Sequence, residues 1–214
     1  MANTNGAWGL KPVSKFGQNS NSTGVSGYTQ YEIASGNSSA IYQGTPVIPL
    51  STGYIDIVGA AAGGTVGLLG AFMGCRYVAS TTGKPTWSNY WPGSGADSNH
   101  PVRAFIADDP MQVFSIATDA TWTSKATARA GVFANANFSS GTSGSTTTGN
   151  SSAALAISTI ATTKTLNLRI LGWEEDPLNQ DFSAAGIPVL VRLNNHFNSS
   201  NGAIVAGTTD TAGV

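Results

Sequence analysis

The chain has 214 residues, a length that suits one domain with a sizeable core. Ten basic and eleven acidic residues leave a net charge of -1, and charged residues make up only 10% of the chain. That balance argues against a nucleic-acid partner or a polybasic membrane surface, and the single cysteine, Cys75, excludes an internal disulfide.

Residues 1–27 are polar and Gly-rich, with Trp8, Leu10, Val13, Phe16 and Val25 as their large apolar groups. They read as an extended N-terminal arm that docks either on its own domain or on a neighbour. Met1 to Leu10 shows no basic segment followed by an apolar one, so no signal peptide is expected. From Tyr28 onward short β-like runs alternate with turns: Tyr28–Ile33, Ala40–Gln43 and Pro46–Leu50. Ile57 to Cys75 is an uncharged run of 19 residues, but six of them are Gly. It therefore reads as two buried strands, Tyr54–Val58 and Thr65–Val78, joined by a Gly-rich turn, and not as a membrane span.

Val102–Ala107 and Met111–Ala117 flank the turn sequence Asp108-Asp109-Pro110. Thr118 to Ala130 is the one stretch with helical character, weakened by its threonines. Residues 139–152 are almost wholly Ser, Thr, Gly and Asn, which predicts a flexible exposed loop. Thr165–Leu171 and Pro188–Asn194 alternate apolar and polar residues, the period of a strand with one buried face. The expected fold is all-β, a small barrel or sandwich of antiparallel strands over residues 28–201. Residues 202–214 read as a C-terminal tail.

Chemistry-bearing residues are sparse. His100 and His196 are the two histidines, and both read as loop hydrogen-bonding groups. No Gly-X-Ser-X-Gly elbow, zinc motif or calcium loop occurs. Gly59 to Thr65 has the glycine spacing of a phosphate loop but no lysine. Asp108-Asp109 and Glu174-Glu175-Asp176 read as acidic turns, the second open to a calcium ion or a neighbour's arginine. The expectation is no catalytic residue, no metal, no cofactor and no enzymatic activity. Trp87, Tyr90 and Trp91 lie between Pro85 and Pro92 and form a candidate interface patch, with sugar binding as a lesser use.

Several short motifs occur in a suggestive order. They are Ala7-Trp-Gly-Leu-Lys-Pro-Val13, Tyr31-Glu-Ile33, Ala40-Ile-Tyr-Gln-Gly-Thr-Pro-Val47 and Gly70-Ala-Phe-Met-Gly-Cys-Arg-Tyr77. Tyr90-Trp-Pro-Gly93, Ala107-Asp-Asp-Pro110, the Gly144–Ser152 loop and Leu166–Leu171 follow. In this order the chain resembles a group of small virion proteins of tailed bacteriophages, encoded beside the major capsid protein. Lys11 stands where that pattern carries Arg, and Thr45 where it carries an acid.

The resemblance implies a capsid decoration, or cement, protein on the exterior of the virion, assembled in the host bacterial cytoplasm. Its implied partners are the major capsid protein and further copies of itself, often as a trimer. The implied docking arm comprises Trp8, Leu10, Lys11, Pro12, Val13 and Phe16. The alternative is a tail, neck or fibre-like component that binds a receptor glycan through Trp87, Tyr90 and Trp91.

Overall fold

The computed structural model describes residue 3 and residues 6–16, 27–58, 67–140 and 143–199. Val25, the Gly-rich turn expected between 58 and 67, and the tail 202–214 lie outside the described residues. In chain order the strands are β1 (Lys11–Lys15), β2 (Thr29–Ile33), β3 (Pro46–Pro49), β4 (Ile55–Ile57) and β5 (Gly70–Val78). Then come β6 (Pro85–Ser88), β7 (Val102–Ala107), β8 (Gln112–Ala117) and a six-residue helix, α1 (Lys125–Ala130). The remaining strands are β9 (Asn135–Ala136), β10 (Phe138–Ser139), β11 (Ala154–Leu155), β12 (Leu168–Trp173) and β13 (Pro188–Leu193).

The named strands pair antiparallel throughout. One sheet runs β1-β8-β13-β12-β9 and a second runs β2-β7-β5-β3-β4, with β6 on β5; β10 and β11 form a separate ribbon. Alternation explains much of this. Leu168 and Ile170 of β12 and Val189, Val191 and Leu193 of β13 are buried, while Arg169 between them is exposed. These residues meet Ile48, Leu68, Ala71 and Ala107 of the second sheet and its flank in one apolar cluster with Phe114 and Ile116. The arrangement is an open antiparallel sandwich, and no closed barrel is found among the described residues.

The centre of the second sheet is buried on both faces, which is why β5 reads as an apolar run from Gly70 to Cys75, ahead of the exposed Arg76. Its other face packs Ile33, Phe72, Cys75, Trp91, Val102 and Ile106 into a second cluster. Gly70 is required here: a Cβ at this position would lie 2.2 Å from the Ala107 carbonyl oxygen. No helix among the described residues is long and apolar enough to cross a membrane.

Three segments differ from the sequence expectation. Ala40–Gln43 forms only isolated bridges, Ile41 to Trp91 and Gln43 to Asn150. The helix begins at Lys125 because Ser124 caps it, accepting a bond from the Thr127 N–H. Over 143–152 the chain folds back through a Gly144–Ser151 bridge, and Gly149 and Ser151 are buried. That segment has almost no apolar side chain to bury, but its backbone bonds to Gln43 on both sides: Gln43 N–H to Gly149 at 2.8 Å and Ser151 N–H to Gln43 at 2.8 Å.

Candidate functional site

Of the expected arm, residues 8–15 lie along this chain's own sandwich. Leu10 is 1% exposed and belongs to the main apolar cluster. The Trp8 indole N–H donates to the Ser115 carbonyl at 3.3 Å. The Leu10 N–H donates to Gly44 at 2.8 Å, and the Gly9 N–H to Ala153 at 3.1 Å. A glycine at position 9 makes this crossing feasible: its φ is +78° and a Cβ would stand 2.5 Å from the Gly44 oxygen. Pro12 and Val13 are half-buried in β1, which pairs with β8 through a bulge between Pro12 and Ser14. Lys11 and Phe16 remain exposed.

Among the described residues of the expected arm, Phe16 is thus the large apolar side chain that faces solvent, at 52% exposure. It does not stand alone. Its N–H donates to the Met111 carbonyl at 2.8 Å, and Met111 is itself 46% exposed. The Arg192 guanidinium lies 5.7 Å from the Phe16 ring centroid and places Nη1 3.7 Å from the Met111 sulfur. Three elements therefore bring an aromatic ring, a thioether and a guanidinium into one exposed patch. Beside it Lys15 pairs with Asp109. The sequence reading missed Met111 and Arg192, since Arg192 is 81 residues from Met111 and only the β8–β13 pairing joins them.

The aromatic trio is separated. Trp91 is fully buried, so it is corrected from a surface ring to a core ring: it packs perpendicular to Tyr77 with ring centroids 5.4 Å apart, and its N–H donates to the Asn37 carbonyl. Tyr90 is half-buried and stacks on Tyr42 at 5.7 Å. Trp87 is 66% exposed on β6, with the Arg76 guanidinium over its ring at 5.9 Å. No continuous three-ring platform results.

The histidines part company as well. His100 is exposed and pairs through Nδ1 with Asp97 at 2.9 Å. The Asn99 backbone N–H, followed by His100, holds the Asp97 carboxyl below its ordinary range. His196 is buried where the chain after β13 bridges Leu68. Its Nδ1 accepts the Asn198 N–H at 3.0 Å, so the neutral ring carries its proton on Nε2, which is buried without a partner. Burial pushes its pKa down, opposed by the nearby Asp108 and Asp109 carboxylates.

Asp108 accepts bonds from Tyr31 at 2.6 Å and Thr29 at 2.8 Å, tying β2 to the β7–β8 turn. Burial first, and then this bond, pushes the Tyr31 phenol up to about 12. Asp176 is bonded by Asn179 at 2.7 Å and by the Leu178 N–H, which holds its carboxyl below the ordinary range. Among the described residues no three His, Cys, Asp or Glu side chains are grouped to hold a metal ion. Comparison of the chain with family models, curated proteins and solved structures finds no match.

Proposed function

We propose that this chain is a capsid decoration protein of a tailed bacteriophage, docking on the outer surface of the shell and bridging neighbouring capsid subunits as a homo-oligomer. The observation that carries this reading is the exposed patch of Phe16, Met111 and Arg192. Aromatic residues, Met and Arg are the types enriched where proteins dock, and charged residues other than Arg are depleted there. Covering the half of the Phe16 ring that is exposed would contribute about 1 kcal/mol. One such contact is weak, but a shell repeats it, and linked copies multiply weak affinities.

The way β1 ends the first sheet favours side-chain docking over strand addition. Lys11, Pro12 and Lys15 lie on this edge strand, and a bulge interrupts it. Lysines, a proline and a bulge are features that discourage one sheet edge from pairing with another. The partner is therefore expected to grip the patch at the end of β1.

The test is the copy number of the chain in purified virions, by quantitative mass spectrometry against the major capsid protein. It is paired with sedimentation of added protein with undecorated shells. A copy number comparable to the capsid protein, with shell binding lost in the Phe16→Ala, Met111→Ala double variant, supports decoration. A handful of copies moves the protein to the tail or neck. Absence from the particle overturns the reading.

A further inference from the structure

A cleft of about 420 Å³ opens at the other end of β1 from this patch. Lys11 and Phe16 are five residues apart, which separates the two by about 16 Å of strand. The cleft is lined by Trp8, Lys11, Gln43, Asn150, Glu174 and Asp176, over apolar surface from Met73 and Pro188. Its volume lies within the range of ligand pockets, roughly 300–1,000 Å³.

The chemistry of that lining is specific. The Lys11, Gln43, Asn150 and Glu174 side chains make no hydrogen bond or ion pair with other described residues. One ammonium, two amides and a carboxylate therefore face the cleft with their bonding capacity unspent. The indole beside them is fixed in place by its bond to Ser115 and by the burial of Leu10 two residues on. The backbone under Gln43 and Asn150 is fixed by the paired bonds among Gln43, Gly149 and Ser151. A site whose parts are already held loses less entropy when a ligand enters.

The geometry points to a binding site for a neutral glycan. A sugar ring offers an apolar C–H face, which an indole ring matches, and a rim of hydroxyls that each donate and accept. The amides of Gln43 and Asn150 do both, Glu174 accepts, and Lys11 donates. Charge narrows the class further. Glu174 and Asp176 oppose an anionic ligand such as a phosphate or sulfate, and Lys11 offsets part of their pull on a cation. This inference is independent of shell docking, because it uses a different surface and different residues.

Saturation-transfer NMR on the full chain tests it, with maltotriose, cellotriose and chitotriose as neutral probes. A heparin-derived sulfated disaccharide and trilysine serve as charged probes. Transfer to at least one neutral trisaccharide is expected. Its affinity should fall fivefold or more in Asn150→Ala and in Glu174→Gln, with the urea midpoint of unfolding unchanged, and stay unchanged in Trp87→Ala. Transfer to none of the three sugars overturns the inference. So does transfer confined to a charged probe, or sugar binding that survives intact in the Asn150→Ala, Glu174→Gln double variant.

Discussion

Leu10 decides whether the N-terminal segment is a detachable arm or part of the sandwich. It is 1% exposed, among Phe114, Ile116 and the other residues of the main cluster. Truncating such a leucine to alanine destabilises a protein by about 2–5 kcal/mol, because the transfer energy is lost and a cavity is left. A domain holds only about 5–15 kcal/mol in reserve. With a urea slope of about 2–3 kcal/mol/M, Leu10→Ala should lower the unfolding midpoint by roughly 1–2 M. Deleting residues 1–16 should do more. The buried Gln112 side-chain amide would lose its bond to the Ser14 carbonyl, now 2.7 Å away, and β8 would lose its partner along one edge. Urea unfolding followed by circular dichroism measures both. A shift below about 0.5 kcal/mol for Leu10→Ala, with a full midpoint in the truncated chain, would refute the argument and free the segment to act on a neighbour.

His196 should make stability depend on pH between neutrality and mild acid. Its pKa in the folded chain is held below the ordinary 6.5 by burial, so below that pH the unfolded chain binds the extra proton. Stability should therefore fall as pH drops below about 6.5, and His196→Gln should flatten that slope in urea midpoints taken from pH 7 to pH 5. The carboxyls of Asp97, Asp176 and Asp181, all held low, lose their contributions only at more acid pH, as the solution falls through their folded values. Trp91→Ala should destabilise by about 3–5 kcal/mol, whereas Trp87→Ala should stay within about 0.5 kcal/mol; chemical denaturation of both variants checks the contrast. The Cys75 thiol, pushed up to about 12 by burial, should resist iodoacetamide at pH 8 in the folded chain and react on unfolding. Rapid labelling of native protein, read by intact-mass spectrometry, would contradict its placement.

The strands that could be read from sequence are those whose side chains alternate or whose run is bounded by a clear turn. β7, β8 and β13 fall within one residue of the expected limits, because Asp108-Asp109-Pro110 and the Val189-Val191-Leu193 alternation leave few other arrangements. β1 was not legible. Lys11-Pro12-Val13-Ser14-Lys15 has no apolar face of its own and becomes a strand by pairing with β8. The same holds for Trp87 and Trp91, four residues apart and alike in sequence. One is covered by the segment around Asn37 to Ile41 and the other is not. Position in the chain carries no record of that cover. Residues 143–152 look unable to fold by composition, and they are held by backbone bonds to Gln43, a partner that a count of apolar side chains does not register.

The candidate surfaces were half legible for the same reason. Trp8, Leu10, Lys11 and Phe16 were grouped as parts of one docking arm, but strand geometry assigns them different work. Leu10 goes into the core, Trp8 and Lys11 into the cleft, and Phe16 onto the patch five residues further on. Met111, Arg192, Gln43 and Asn150 complete those surfaces from distant parts of the chain, so neither surface exists until the sandwich closes. The seating of β1 on β8 therefore sets the position of both. A substitution that loosens β1, such as Leu10→Ala, should weaken glycan binding and shell docking together. Substitutions at Asn150 or Phe16 should each affect only one. Observing that split, with the joint loss confined to variants that unseat β1, would separate the two surfaces while showing that one strand supports them.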